Sequence, residues 1–556
     1  MKKKILATII AILLMCAPLT ACGESYKNDP IEGTQDTSYV VVSNGGSAVQ
    51  YGNYVYYING YRGYEDSDGS ENYWGNVVKG GLYRAELNAG NDVSFDYMTA
   101  FGVSVSGLKT FDGAYNVETS YDFITKQSNV VTGYEKDEDG NVKYDDDGSA
   151  IEITEEVNEV VSYRIASKTI GTSGYADGGI FIYDDYVYYA TPSNEQNRQG
   201  EFETAKTMFF RTKLDGTGTK RLYTTENDTA AADYAFYKQD GKVYLTVLDG
   251  TSIISVKVGD KKVESVKEIA TDVTDALFPV RDVYYKGIDT NQAEDFIYYT
   301  RDITEDDRIR SGNIVVAVRP SGEEKAEIIS NGNTVTLKNV DGGYLFYEDA
   351  QTGGNVIMYT NLHEQFMEFS PSYKSAYEAS YDEIAQANGA GSMVIGHQSG
   401  VALNVENISN YSEVICFRPS MLSNQVYAIC FDANGIYTYD GVEMVTVYNG
   451  SIRMIYDVIG ANVYYGDSDG GYHYTNAFTA AANNEVVTIA QNMSTAATFG
   501  LDVVGRFAMM FGEVDDYASD YAMFVNLDRI GEGAQFVGVK AEDDVYDPSV
   551  ELDSEE

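Results

Sequence analysis

One short phrase recurs along this chain and limits what it can fold into: a glycine or aspartate turn, then an aromatic strand, then a variable loop, then a second strand with an aromatic or basic start. The first copy is Gly52-Asn53-Tyr54-Val55-Tyr56-Tyr57-Ile58, followed by Gly81-Leu82-Tyr83-Arg84-Ala85-Glu86-Leu87. The clearest is Asp184-Asp185-Tyr186-Val187-Tyr188-Tyr189 with Phe209-Phe210-Arg211-Thr212-Lys213-Leu214-Asp215-Gly216-Thr217-Gly218. Further copies stand at Gly241–Leu245, at Val283–Tyr285 or Phe296–Tyr299, at Gly343–Tyr347, at Gln425–Ile429, at Asn462–Tyr465 and at Arg506–Met510. A spacing of roughly 40 to 60 residues between similar strand–turn units is the signature of a repeat architecture. No single unit can bury its own apolar face, so the units must pack on one another, and closing them into a ring removes the exposed sheet edges. An open solenoid wants a shorter and more regular period, and separate sandwiches would not repeat the same phrase along the whole chain.

The expected fold is therefore all-β: a β-propeller of seven or eight antiparallel blades, with a degenerate unit around Ala100 to Ile165 included in the count and long loop insertions. Composition agrees. Among 556 residues there are 48 Tyr and 53 Gly but 8 Pro, and 44% of residues are hydrophobic, too many for a disordered acidic chain. Asp plus Glu number 85 against 39 Lys plus Arg, a formal charge of −46, which would repel a phosphate backbone. With no local basic cluster, nucleic acid is excluded as a main partner.

The N-terminus reads as a targeting segment. Lys2, Lys3 and Lys4 precede an apolar run from Ile5 to Met15, and Leu19-Thr20-Ala21-Cys22 follows. The run is short for a bilayer span and fits an export signal. This stretch resembles the bacterial lipoprotein signal, which implies cleavage before Cys22 and a diacylglyceryl group on its sulfur. The expected organisation is a signal peptide over 1–21, a lipidated N-terminus and tether over 22–40, one propeller over 41–535 and an acidic tail over 536–556. The expected location is the outer face of the cytoplasmic membrane, with lipid contact through the acyl anchor alone.

Taken together, the Tyr-Val-Tyr-Tyr strand and the Phe-Arg-Thr-Lys-Leu-Asp-Gly-Thr-Gly segment resemble β-propeller units of surface lipoproteins from clostridial and related Gram-positive gut bacteria. That family is of unknown function and is likened to the propellers of low-density-lipoprotein receptor proteins and of TolB. The resemblance implies a fold and a surface location, and it brings no catalytic residue.

Cys416 and Cys430 lie on two expected strands, Val414–Arg418 and Val426–Phe431. A hairpin symmetric about Ser423 would set them face to face, making a disulfide geometrically possible, and a buried free pair is the alternative. Segment 370–387, with Tyr373, Tyr377 and Tyr381 four residues apart, reads as a short helix laid on the ring.

Residues with chemistry are few. His363, His397 and His473 are the only imidazoles, and none sits at metal-ligand spacing. No nucleophile elbow, phosphate-binding glycine loop or redox cysteine pair occurs. Four acidic turns place Asp at positions one and three before Gly: from Asp66, Asp137, Asp145 and Asp467. Such turns hold half of a calcium loop, so Asp66, Asp68, Asp467 and Asp469 are the candidate metal ligands and calcium the one cofactor they admit. In the insertion between Gly60 and Gly80, Tyr61, Tyr64, Tyr73 and Trp74 offer amphipathic rings of the kind that stack on sugars or anchor an interface. A second insertion over 132–158 should project from one rim.

The function expected from these features is a non-catalytic surface lipoprotein whose loops bind a glycan, peptide or protein partner. Two alternatives are carried beside it: a polysaccharide-acting glycosidase or lyase with converging carboxylates, and a structural scaffold in an envelope complex.

Overall fold

The computed structural model describes residues 48–58, 82–87, 93–94, 109–110, 123–166, 179–280, 296–361, 401–403, 410–419, 425–490, 501–514 and 517–539, together with Ser43 and Gly46. Within those segments 146–147, 194, 202, 204, 229–232, 308, 324, 343 and 352–353 fall outside the description. Among the described residues there is no α-helix. There are two short 3-10 turns, Ala481–Asn483 and Ile530–Glu532, and 35 strands in eight sheets.

Blade one holds β1 (Ala48–Tyr51), β2 (Tyr54–Ile58), β3 (Leu82–Glu86), β6 (Phe123–Tyr134) and β7 (Glu152–Ala166), ordered β1-β2-β3-β7-β6. Blade two is β8 (Phe181–Tyr183), β9 (Tyr186–Pro192), β10 (Thr207–Lys213) and β11 (Lys220–Thr224). Blade three runs β12 (Tyr234–Gln239), β13 (Lys242–Asp249), β14 (Ser252–Val258), β15 (Val263–Ala270), and blade four β16 (Val273–Leu277), β17 (Ile297–Asp302), β18 (Asn313–Val318), β19 (Ala326–Ile329). Blade five is β20 (Val335–Asp341), β21 (Tyr344–Gln351), β22 (Gly354–Asn361) and β23 (Val401–Leu403). Blade six is β24 (Glu413–Phe417), β25 (Tyr427–Asp432), β26 (Gly435–Tyr439) and β27 (Met444–Asn449). Blade seven is β28 (Ile452–Ile459), β29 (Asn462–Asp467), β30 (Tyr472–Asn476) and β31 (Val486–Ala490). Blade eight joins β32 (Leu501–Val504), β33 (Phe507–Val514), β34 (Tyr517–Asn526) and β35 (Ala534–Val539) to β4 (Val93–Ser94) and β5 (Lys109–Thr110).

The chain is an eight-bladed β-propeller, all-β as the repeat predicted. First strands of neighbouring blades lie against one another, β1 with β8 and β32, β16 with β20, β20 with β24 and β28 with β32, which puts them around the axis. The recurring sequence phrase is the second and third strand of each blade. Those strands are covered on both faces: β2 and β18 are buried along their whole length, whereas β15 is mostly exposed. The turn that opens the phrase joins strands one and two. Gly52 (φ 59°), Asp184 (φ 54°), Asp240 (φ 50°), Gly460 (φ 59°) and Gly505 (φ 59°) all sit first in such a turn, in the left-handed region a two-residue hairpin needs.

The core lies between blades. Tyr54 and Tyr56 of blade one pack with Ile182 and Val187 of blade two, Tyr298 of blade four with Leu345 of blade five, and Ile429 of blade six with Val463 of blade seven. Polar side chains reinforce the same seams. Arg84, 2% exposed, reaches Leu214 O, which also accepts from the Tyr56 hydroxyl at 2.9 Å. Arg211 donates to Gly259 O at 2.8 Å and to Asp260 O at 2.5 Å, and Thr438 donates to Ala477 O at 2.6 Å. The basic residue of the repeated phrase thus ties each of these two blades to the next one.

Two expectations need correction. The degenerate unit around Ala100 to Ile165 forms no blade of its own. Its short β5 extends blade eight through β4, and its long hairpin β6–β7 completes blade one. The last described strand runs to Val539. The cysteine hairpin exists, but Cys416 pairs with Ala428 and Cys430 with Val414, so its centre falls one residue before Ser423. The cysteines are diagonal rather than opposed, and both thiols are free and buried. The tyrosine helix expected over 370–387 lies outside the described residues.

Candidate functional site

Propellers present their first strands to the axis, and here several of those strands are irregular. Register shifts fall in β16 between Val273 and Asp275, in β20 between Leu337 and Asn339, and twice in β28. Each shift is a bulge that turns side chains away from the regular pleat. The bulge at Thr274 sets Asp275 opposite Thr300, while the Thr274 hydroxyl meets that of Thr300 at 2.8 Å.

Asp275 is half-buried, and its carboxylate accepts from the Leu337 amide of blade five at 3.2 Å. Asp233, directly before β12, is the neighbouring carboxyl from blade three. Burial pushes the Asp233 carboxyl above the ordinary aspartate range, and the charge of Asp275 pushes it further. Burial likewise raises Asp275, against the stabilising amides of Leu337 and Ala276. Among the described residues no side chain or amide bonds to the Asp233 carboxylate; only its backbone carbonyl is used, by the Leu248 amide at 2.9 Å. Two partly buried carboxyls close enough for the charge of one to raise the other, one of them without a donor among the described residues, favour a positive charge nearby.

A third axial carboxyl has a different task. Asp341, at the end of β20, accepts from the Arg418 amide at 2.5 Å, and the Arg418 guanidinium donates to Gly342 O while lying 4.8 Å from the Tyr344 ring centre. Burial pushes Asp341 up to about 6, opposed by the Arg418 amide and charge. This cluster joins blades five and six.

His473 is the one described histidine. It lies on β30, its Nε2 2.9 Å from Asp467 Oδ2 and its Nδ1 3.1 Å from Thr488 Oγ1 on β31. Asp467 Oδ1 accepts from the amides of Asp469 at 2.9 Å and Gly471 at 2.7 Å. Burial raises Asp467, but the His473 bond and those amides outweigh it and hold the carboxyl below its usual range. The acidic turn is therefore a hydrogen-bonded hairpin with a histidine lock. Asp137 and Asn197 build the same turn, each capping the amides two and four residues on.

Both oxygens of Asp467 are thus occupied within the turn, and among the described residues no three His, Cys, Asp or Glu side chains gather to hold a metal ion. Asp66 and Asp68, with Tyr61, Tyr64, Tyr73 and Trp74, lie outside the described residues, as do His363 and His397. Asp469 is described, and its amide supports Asp467. Nothing in the sequence singled out Asp233 or Asp275 from 85 acidic residues. The usable signal is positional: each lies at or near the start of a first strand, just upstream of an aromatic second strand.

No protein-family model and no curated protein matches the chain. Solved structures do match. A puromycin hydrolase is 9% identical over 66% of this chain and 54% of its own, with a TM-score of 0.39. The acylaminoacyl peptidase of Pyrococcus horikoshii is 12% identical over 68% and 53%, TM-score 0.34, and oligopeptidase B of Leishmania major 8% identical over 67% and 50%, TM-score 0.35. The match spans about half the length of those chains, and at these identities it speaks to the fold alone. The expectation of a non-catalytic glycan, peptide or protein receptor, with its polysaccharide-cleaving and scaffold alternatives, is not what the names of these three describe, and it is not carried further. These three carry the names of a hydrolase and of peptidases; Kluyveromyces lactis Hsv2, 12% identical over 63% of this chain and 94% of its own, TM-score 0.32, is named as neither.

Proposed function

We propose that this propeller serves peptide hydrolysis by selecting the substrate, its axis receiving a protonated amine between Asp233 and Asp275. Peptide as the substrate class is taken over from the named propeller enzymes. The amine comes from this chain's own residues. The observation that carries the reading is the Asp233 carboxylate, beside the second carboxyl of Asp275 and, among the described residues, without a cation or donor of its own. An alkylammonium group supplies three donors and a positive charge, which relieves both the desolvation and the mutual repulsion of the pair.

Calorimetric titration with short peptides bearing a free α-amine, and with their N-acetylated forms, tests this. Free-amine peptides should bind, acetylated ones should bind at least about tenfold more weakly, and Asp233→Asn should remove the preference. Equal binding of both forms, or an unchanged preference in the variant, would sink the reading.

The location belongs to the same proposal. The charged, apolar and cysteine-ended segment from Lys2 to Cys22 supports export and acylation at Cys22, on the outer face of the membrane, as in the surface lipoproteins the repeat resembles. Metabolic labelling with a radioactive fatty acid should mark the chain and not its Cys22→Ala variant.

A further inference from the structure

The β6–β7 hairpin outgrows its blade. β3 pairs with β7 only from Ser162 to Ala166, yet β6 and β7 stay paired from Phe123 and Tyr163 out to Tyr134 and Glu152. About ten residues of each strand therefore reach beyond the blade, an arm of about 33 Å at the usual rise per residue. Its tip folds back once more: Lys136 pairs with Val142 and Tyr144 with Ala150, through turns capped by Asp137 and Asp145.

Two independent features set this arm apart from an ordinary surface hairpin. Its described side chains, over 131–155, are mostly exposed, and Val131 (41%), Tyr134 (45%), Tyr144 (65%) and Ile153 (48%) make up four of the nine large apolar side chains exposed among the described residues. A two-stranded ribbon with both faces in water is marginal by itself. Moreover, β6 is the outermost strand of its sheet, so among the described residues its outer edge has no partner strand.

Charge says what kind of partner fits. Residues 131–155 contain nine Asp or Glu and two Lys. Lys143 is already paired with Glu135 at 3.4 Å, and amides within its turn hold the Asp137 carboxyl below its ordinary range, ionised near neutrality. A second copy of this chain, with its charge of −46, would meet like charge.

We propose that the arm docks an extended, cationic polypeptide segment, which adds to β6 as a further strand. Its alternate apolar side chains lie against Val131 and Tyr134, which share a face of the hairpin, and its Lys or Arg side chains meet the acidic residues around them. Main-chain pairing gives the register, and charge gives the sign of the partner.

The experiment uses the full chain and a fluorescent, N-acetylated decapeptide of alternating Lys and Val, followed by anisotropy. Oligolysine of equal charge and an alternating Glu–Val decapeptide serve as comparisons. One variant replaces residues 129–156 by Asn-Gly, closing the hairpin between the paired Ser128 and Val157. A second, Val131→Thr with Tyr134→Ser, Tyr144→Ser and Ile153→Thr, keeps the arm but replaces its four exposed apolar side chains. The Lys–Val peptide should bind the native chain at least tenfold more tightly than oligolysine, both variants should lose that margin, and Asp233→Asn should keep it. Equal binding of oligolysine, or an unchanged margin in both variants, would overturn the proposal by reducing it to general charge attraction. Loss of the margin in Asp233→Asn would move the site to the axis and overturn it equally, whereas failure at the arm alone leaves the axial reading standing.

Discussion

The rings of Tyr57 in blade one and Phe524 in blade eight meet edge to face, their centres 5.9 Å apart. Both are buried, and beside them Gln535 of blade eight donates to Glu86 O of blade one at 2.8 Å. Here the first and last blades close the circle. Among the described residues, no strand from before β1 joins the last blade. Closure comes from face-to-face packing and from β4 and β5, an excursion out of blade one that adds to the outer edge of blade eight.

Phe524→Ala should therefore cost about 3–5 kcal/mol, the range for a buried aromatic truncated in a packed core. Denaturant unfolding followed by tyrosine fluorescence would register it. A loss under about 1 kcal/mol would mean that the two blades are not packed together in solution.

Arg211 is 4% exposed, with its guanidinium on two carbonyls of blade three and 4.5 Å from the Tyr186 ring centre. Removing it leaves the buried Gly259 carbonyl without that donor and empties the space beside Tyr186, so Arg211→Ala should destabilise by about 2–4 kcal/mol. Arg211→Lys should rescue only part of that, because an ammonium cannot serve both carbonyls and the ring from one planar group. Full rescue by lysine in thermal melts would argue against the seam geometry.

These two examples show which part of the fold the sequence discloses. Second and third strands are largely buried, so they are mostly apolar, and the second strand carries an aromatic residue in every blade. Fourth strands are half exposed. β15 reads as alternating Val, Glu and Lys, and β27 is only partly covered, so neither announces itself. The cysteine hairpin was read with the correct strands but missed by one position, since nothing local fixes where a longer loop bends. The axial pair escaped because its meaning arises only when blades three and four stand side by side.

Asp341 should make stability depend on pH. Its folded-state value is raised to about 6, above the ordinary 3.8, so the folded protein retains a proton that the unfolded chain has released. Stability contributed by the neutral carboxyl is complete below pH 4, falls as pH rises through 4 to 6, and is gone above that window. Asp341→Asn keeps an acceptor for the Arg418 amide without the charge. It should gain about 1–2 kcal/mol at pH 7 relative to the parent and nothing at pH 4. Urea titrations at the two pH values would decide, and an equal effect at both would show that the charge is not what matters.

The histidine lock of blade seven makes a sharper geometric prediction. A methyl group on Gly471 would lie 2.1 Å from His473 Nε2, so Gly471→Ala should displace the ring and cost about 1–3 kcal/mol. His473→Ala removes both the ring and its bonds to Asp467 and Thr488. In that background the extra methyl should cost little, giving a double-mutant coupling of at least about 1 kcal/mol. Additive effects would mean that the ring does not lie over the glycine.

The most direct test of the account is the pH profile of amine binding at the axis. Asp233 and Asp275 both titrate above the ordinary aspartate range, raised by burial and, for Asp233, by its neighbour. Both must be ionised to hold an ammonium group well, so the affinity for a free-amine peptide should climb as pH rises past 4 and level off once the pair is charged. In Asp233→Asn and Asp275→Asn the climb should shrink along with the affinity. An affinity that does not change with pH, or that changes identically in the wild-type protein and both variants, would contradict a carboxylate-lined, amine-selecting axis.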